Sequence, residues 1–337
     1  MLRKGAYTKT EGRNMNTYIV KHKDMNSRMK SRSGGVFAAV SDKVLDAGGV
    51  IYGCALDEQF NAYHRRAVTK EERDLFRGSK YVQSDMKDAM KQAIADLKEN
   101  RLVLFSGTPC QVAGMKSVCP LGKEENLITI DIVCHGVPSP AVWNAYKSYM
   151  EKKYHGRITG VDFRNKRNHG WWEHVESVKI HGFEVDSQIY KNLFYEHNIL
   201  RDCCYECPYK STERVGDISI ADAWGIAQAA PEFDDNHGVS LVLCSTDKGQ
   251  KWLERGLKDC DYRECDLKDY MQEPLIKSFA KPADYDRFWE EYFSKDFERV
   301  IKERYEDSVK MQMKWRIKRM VKAVVPQSLI NRLRGRA

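Results

Sequence analysis

The feature that most limits the fold is an alternation. Between residues 33 and 154, short apolar runs take turns with segments of helical period. "VIYGCAL" (50–56), "LVLFSG" (102–107) and "NLITIDIVCHG" (126–136) read as strands, the last two buried. Between them, "SRSGGVFAAVSDKVLDAGG" (31–49) is a Gly-rich turn feeding a helix. Phe37, Val40, Val44 and Leu45 fall at helical spacing, and Gly48-Gly49 stops it. "DMKDAMKQAIADLKENR" (85–101) puts Met86, Met90, Ile94 and Leu97 on one side. Thr69 caps the stretch 67–84, "TPCQVAGMKSV" opens a helix after the second run, and Pro140 starts another over 140–154. Helix and apolar strand in turn predict an α/β layer.

The second half differs. "ITGVDFRNK" (158–166) and "HVESVKIHG" (174–182) read as strands around a polar loop, and "KNLFYEHNILRDCCYECPYK" (191–210) is a helix running into a cysteine knuckle. "DISIADAWGI" (217–226) and "VSLVLCST" (239–246) are further strands, and "KGQKWLERGL" (248–257) a helix. The expected class is α/β (mixed α+β), a central sheet flanked by helices with a second, mostly β lobe that carries the knuckle. The expected divisions are a basic N-terminal segment (1–32), an α/β lobe (33–155), a C-terminal lobe with the knuckle (156–300) and a basic amphipathic helical tail (301–337).

With 337 residues, 42% hydrophobic and 11% aromatic, the chain has material for a sizeable core. No run of 18 apolar residues occurs and the first residues lack a signal peptide's apolar core, so a cytoplasmic protein is expected. Ten cysteines in a reducing compartment are then free thiols rather than disulfides, and those with ligand-like spacing are candidates for a metal site. The net charge of +8 is segregated. Residues 1–32 hold nine basic and two acidic residues, and nine Lys or Arg but no acid follow Asp307, leaving the body acidic. In the tail, Trp315, Ile317, Met320, Val321, Val324 and Val325 interleave with the bases. That pattern suits a helix lying on a membrane surface or a solvated basic helix. No motif points to nucleic acid, and none is expected as a partner.

Cys204 and Cys207 form a C-x-x-C pair, while Cys110 and Cys134 each follow a buried strand. Loops at strand ends on one sheet edge converge where such folds bind ligands. Two loops plus the knuckle would supply four thiolates, suited to zinc or to a [4Fe–4S] cluster. Cys203 competes with its neighbour as a ligand. A nucleophilic Cys110 with His135 as base leaves the knuckle without a purpose. "SRSGG" and "SGTP" are small-residue loops of the kind that cradle phosphate, and Lys80, Arg164 and Lys166 would neutralise a pyrophosphate unless they are simply solvated. Trp171 and Trp172 are core residues or a stacking platform. Asp217 and Asp222 are acid/base groups or backbone caps.

Taken in order, "SRSGGVF", "AGGVIYG", "RGSKYVQS", "LFSGTPCQVAGMKS", "DIVCHGVPSP", "DFRNK", "GWW" and "LRDCCYECPYKSTERVGDISIADAWGI" resemble the beta-subunit family of coenzyme F420 hydrogenases and dehydrogenases, over about residues 17–295. The resemblance implies an iron–sulfur flavoprotein oxidoreductase that passes electrons between a [4Fe–4S] cluster, FAD and a two-electron acceptor such as coenzyme F420. It implies Cys110, Cys134, Cys204 and Cys207 as cluster ligands. It makes the 33–155 lobe flavin-binding, with Ser33, Gly34, Gly35, Lys80, Ser106, Gly107, Thr108, His135, Arg164 and Lys166 in the FAD site. Many relatives begin with a ferredoxin-like segment, whereas residues 1–53 here contain no cysteine. Electrons are therefore expected from a separate ferredoxin or electron-donating subunit, an acidic one meeting the basic N-terminal region. Bacterial chains resembling this one occur beside genes for surface-polysaccharide synthesis, and the basic tail suits work at the inner membrane face. The rival expectation is a non-catalytic scaffold with a structural metal site, zinc or a degenerate cluster, in a glycan-assembly complex.

Overall fold

The structure is a computed structural model that describes residues 15–305 and 309–324. The described residues form two compact units, one from residues up to 140 with 200–280 and one from 141–199 with those after 280. Eleven strands are described: β1 (Asn16–His22), β2 (Val50–Leu56), β3 (Ala62–Ala67), β4 (Val103–Gly107), β5 (Leu127–Ile132), β6 (Ile158–Asp162), β7 (Glu176–Ile180), β8 (Phe183–Ser187), β9 (Ile218–Asp222), β10 (Ser240–Cys244) and β11 (Cys260–Glu264). The first unit holds an eight-stranded sheet of order β11-β1-β10-β9-β5-β4-β2-β3. Its centre is parallel, β2 on β4, β4 on β5 and β5 on β9. The flanking pairings, β2 with β3 and β9-β10-β1-β11, are antiparallel.

The central strands are apolar along their length because both faces are covered. Ile51, Leu104, Ile128, Ile130 and Ile218 pack with residues of the helices Val36–Asp46 and Asp247–Leu257. Val50, Tyr52, Val103, Phe105 and Leu127 pack with residues of the helices Ala89–Lys98 and Pro109–Ser117. Each fully buried large aliphatic or aromatic side chain contributes roughly 1.5–3 kcal/mol of transfer free energy.

The second unit carries the antiparallel sheet β6-β7-β8. Trp143, Tyr146, Phe163 and Tyr190 form its aromatic centre, with ring centroids 4.7–6.1 Å apart. Glu176 is buried there and accepts the Tyr190 backbone N–H at 2.8 Å. Trp171 is a core residue at 0% exposure, whereas Trp172 is 40% exposed.

The fold class is the expected mixed α/β, with a large central sheet flanked by helices and a second small sheet. The divisions along the chain differ from expectation. The knuckle belongs to the first unit, because after residue 200 the chain returns to that unit and adds β9, β10 and β11 to its sheet. Nor is 15–32 a basic arm. "TYIV" (17–20) is buried as β1 between β10 and β11, since an apolar run of that length needs partners on both edges. Arg28 is 2% exposed and bidentate to Asp235 at 2.5 and 2.6 Å, and Arg32 pairs with Asp222 at 2.9 Å. These cations serve the first unit's own acids and are not laid out for an acidic partner.

The tail helix Val309–Val324 also corrects a detail. Trp315 is buried, its ring 6.4 Å from that of His169, while Ile317 and Met320 are exposed. Trp315 therefore lies on the opposite face from them. The side chains of Val321 and Val324, and Val325 as a whole, lie outside the described residues.

Candidate functional site

Three separate segments of the first unit bring four cysteines into one neighbourhood. The first is the start of the helix Pro109–Ser117. Thr108 is its N-cap, Pro109 occupies the first position, where a missing N–H costs nothing, and Cys110 stands in the first turn. The Gln111 side chain accepts the Thr108 backbone N–H at 3.0 Å, and the Thr108 hydroxyl lies 3.1 Å from Cys110 Sγ. The exposed thiol thus sits at the positive end of a helix dipole.

The second segment is the loop after β5. Cys134 lies two residues beyond the strand, and Gly136 follows with φ +152. A Cβ at Gly136 would come within 2.6 Å of Leu200 Cδ1, so glycine is required for the close approach to the third segment. Pro138 and Leu200 form a bridge, and Arg201 N donates to Val137 O at 3.1 Å. The third segment is the knuckle. A 3₁₀ turn spans Asp202–Cys204, Cys204 N donates to Arg201 O at 2.8 Å, and Cys207 O accepts from Ser278 Oγ at 3.2 Å.

The thiols sense one another. Burial pushes Cys134 up to about 12, with Lys210 opposing and Cys204 and Cys110 adding. Burial likewise pushes Cys204 up to about 11, the Val137 backbone opposing and Cys203, Cys207 and Cys110 adding. Lys210 is held below its usual range by burial, and Cys134, Cys207 and Cys204 push it back up. Its ammonium donates to Cys134 O at 2.5 Å and His135 O at 2.8 Å and lies 4.9 Å from the Phe279 ring centroid. Cys203 is exposed and influences Cys204. Among the described residues, no three His, Cys, Asp or Glu side chains stand close enough to hold a single metal ion.

A buried ion pair ties the knuckle to the sheet. Arg214 donates to Asp131 Oδ1 at 2.9 Å, both side chains being almost fully buried. The same guanidinium reaches Ser219 Oγ, Tyr209 O, Ser211 O and Ile132 O at 3.1–3.2 Å. It thereby staples the loop after the knuckle to β5 and β9. Asp217 is a backbone clamp, accepting from Thr129 N and Oγ1 at 2.8 and 2.7 Å and from Thr246 Oγ1 at 2.9 Å. Asp222 is the ion-pair partner of Arg32. Neither aspartate is laid out as an acid or base.

The residues expected around a flavin are dispersed. Ser33 Oγ donates to Val239 O at 2.6 Å and Gly34 N donates to Ser240 Oγ at 2.9 Å. Both are therefore spent inside the sheet. Gly35 takes φ +96 at the N-cap of the helix Val36–Asp46. Lys80 donates to Leu75 O and Arg77 O at 2.9 Å. Ser106 and Gly107 end β4, and Thr108 caps the Cys110 helix. The His135 ring lies 4.1 Å from Phe279. Arg164 and Lys166 lie in the second unit and are not solvated but buried, at 8% and 5% exposure. Arg164 donates to Trp171 O at 3.2 Å, and Lys166 begins a short helix capped by Asn165.

Sequence reasoning missed His64. It is 2% exposed, and its Nε2 lies 3.1 Å from Ser106 O. A histidine at an inward position of an alternating strand, between Ala62 and Ala67, is the signal that would have found it.

Residues 100–269 match the family model for the C terminus of the coenzyme F420 hydrogenase/dehydrogenase beta subunit. That span is half of the chain. The chain belongs to this family. All four clustered cysteines, Lys210 and the Asp131–Arg214 pair fall inside the matched span, whereas Ser33, Gly34, Gly35, His64 and Lys80 fall before it. Among solved structures, the chain is similar to one from "Xenon derivatization of the F420-reducing [NiFe] hydrogenase complex from Methanosarcina barkeri", with a TM-score of 0.54 and 16% identity over 87% of this chain and 93% of that one. At that identity the likeness establishes the shared fold. No curated protein sequence matches. The F420 hydrogenase/dehydrogenase beta-subunit family is an oxidoreductase family associated with iron–sulfur and flavin cofactors. No helix among the described residues is long and apolar enough to cross a membrane.

Proposed function

We propose that this chain is an iron–sulfur flavoprotein oxidoreductase whose [4Fe–4S] cluster is held by Cys110, Cys134, Cys204 and Cys207. The observation that carries the reading is that thiols from three segments far apart in sequence influence one another, and that Cys134, Cys204 and Cys207 also act on the buried Lys210 ammonium. Tetrahedral zinc draws four sulfurs to about 2.3 Å from one ion. Among the described residues no three such side chains stand close enough for a single ion, so the choice of a cluster over zinc rests on the family's association with iron–sulfur cofactors. Cys204 rather than Cys203 is the fourth ligand, because Cys204 is half-buried and influences Cys134 and Lys210. When bound, the cluster supplies single-electron steps and FAD joins two of them into a hydride for coenzyme F420 or another two-electron acceptor.

The protein's own residues place and bias these groups. Cys110 presents its sulfur at a helix N-terminus, where backbone dipoles favour negative charge. Lys210 adds a positive charge beside a thiolate-rich centre and favours its more reduced state. Ser106, Gly107 and Thr108 stand within four residues of Cys110, so a flavin on that loop is close to the cluster. With one set of four ligands assigned, electrons arrive from a partner, a ferredoxin or an electron-donating subunit.

The test is anaerobic purification. Broad visible absorbance bleached by dithionite, with iron, acid-labile sulfide and FAD released on boiling, is the expected result. A colourless protein carrying one zinc and no flavin overturns the redox reading in favour of a scaffold with a structural metal.

We place the protein's work at the inner membrane face, in surface-polysaccharide synthesis. The tail helix supports the membrane contact. Val309, Met313, Ile317 and Met320 are 53–74% exposed and recur at spacings that share one helix face, opposite buried Trp315. Exposed Lys310, Lys314 and Arg316 flank that stripe. The full chain is expected to float with vesicles containing anionic phosphatidylserine, less so at high salt and not with neutral vesicles. Ile317→Glu is expected to abolish flotation without changing cofactor content. A wild-type chain that ignores anionic vesicles rules the contact out.

A further inference from the structure

His64 and Lys80 carry unspent hydrogen-bonding capacity that the fold does not use. The Ser106 carbonyl can only accept, so His64 Nε2 bears the proton in their 3.1 Å contact. His64 Nδ1 is then a bare acceptor, buried and without a partner among the described residues. Such an atom is costly to bury, and its persistence calls for an explanation. The imidazole is also rigid, stacked on Phe105 with centroids 5.7 Å apart and planes 15° apart. Burial lowers its pKa to about 4, with the Lys80 charge adding, so at neutral pH it accepts and does not carry charge. Lys80 has three donors, and Leu75 O and Arg77 O take two of them. Burial lowers it to about 8.

The His64 ring lies at the carboxyl end of β4, where ligands bind in parallel sheets, and Lys80 is near enough to act on its charge. Cys54 lies directly opposite His64 across β2 and β3, and its thiol senses Lys80. A Cβ at Gly107 would lie 2.9 Å from Gln111 Oε1, so glycine is needed there for the Gln111 side chain to close on the strand end, while the His64 ring lies at ordinary contact distance. One free donor beside one free acceptor does not suit a pyrophosphate, which offers acceptors alone and leaves Nδ1 unpaired. We infer that His64 and Lys80 read the imide edge of a planar ring, Nδ1 accepting the ring N–H while the ammonium donates to the adjacent carbonyl. Flavins and deazaflavins share that edge. This inference rests on the flavin reading above and reassigns Lys80 from phosphate to ring.

The test is a fluorescence-quenching titration of flavin-free protein with FAD, with its N3-methyl analogue, with coenzyme F420 and with ADP. Wild type is expected to bind FAD or F420, the tighter of the two identifying the source of the edge, and to bind the N3-methyl analogue about tenfold more weakly than FAD, the worth of one lost hydrogen bond. His64→Phe is expected to weaken FAD about tenfold and to erase the discrimination against N3-methylation, while His64→Gln, which keeps an acceptor, recovers part of both. Lys80→Met is expected to weaken FAD and leave ADP unchanged. Equal binding of FAD and its N3-methyl analogue by wild type overturns the inference while the flavin reading stands, as does a Lys80→Met variant that loses ADP and FAD alike. A wild-type protein that binds no flavin and no F420 overturns both. The N3-methyl comparison uses wild type alone, so the inference remains open to refutation if a variant fails to fold.

Discussion

Cys207→Ser, purified without oxygen, is expected to emerge colourless, with iron and acid-labile sulfide reduced to traces and the thermal unfolding midpoint lowered. A hydroxyl is a far poorer ligand for iron than a thiolate, and a cluster missing one corner is labile. On the proposed reading, metal binding would be coupled to order. The knuckle is held to neighbouring loops by the Pro138–Leu200 bridge, the Arg201–Val137 and Ser278–Cys207 bonds and the Lys210 bonds to Cys134 O and His135 O, with Arg214 anchoring the segment after it. A bound cluster would add directly to the folding free energy of this region. Two controls separate ligand loss from general damage. Cys244→Ser is expected to keep full colour, because Cys244 is 5% exposed at the end of β10, packed in the core, with its thiol on the Asp217 and Thr246 carbonyls. Cys203→Ser is expected to keep colour as well. Full colour in Cys207→Ser together with a colourless Cys203→Ser would show that the exposed cysteine is the ligand and that the assignment of the knuckle is wrong.

Asp131→Ala is expected to lower stability by about 3–5 kcal/mol, the usual cost of leaving one partner of a buried ion pair uncompensated. The geometry explains why the cost is this large. Asp131 accepts from Arg214 at 2.9 Å through Oδ1 and from the Gly216 backbone N–H at 2.9 Å through Oδ2. Its removal strands both a guanidinium and an amide in the interior. The readout is the urea midpoint, with unfolding slope unchanged. A structural role predicts more than lost stability. Because Arg214 also holds Tyr209 O and Ser211 O, the loop next to the knuckle is expected to lose its anchor, and Asp131→Ala to lose cluster iron faster than wild type under a chelator. Asp131→Asn retains acceptor and shape and is expected to fall between the two. The double variant Asp131→Leu with Arg214→Met is expected to be more stable than Asp131→Ala, since it removes both charges together. A midpoint for Asp131→Ala within experimental error of wild type would refute the staple.

Much of this architecture is legible residue by residue. The continuous apolar runs at 50–56, 102–107 and 126–132 are strands because both faces of a parallel sheet are covered, which strips them of polar alternation. Thr108-Pro109 marks a helix start because capping and the fixed proline φ act within one turn of chain. Cys110 and Cys134 are recognisable as a pair for the same local reason, each standing just past a buried strand.

Other features answer to partners far along the chain. Arg28 looks like part of a basic arm until Asp235, 207 residues on, neutralises it. Arg164 and Lys166 look solvated until the second unit closes over them. The lobe expected over 156–300 dissolves because β9, β10 and β11 return to the first sheet, a pairing no neighbouring residue announces. His64 becomes interesting only when Ser106, 42 residues away, takes one ring nitrogen and leaves the other buried without a partner. Local chain chemistry decided which segments would be strands and helices and where thiols would stand on them. The tertiary structure alone decided which charges are spent and which thiols meet, because pairing and burial are set by contacts across tens to hundreds of residues.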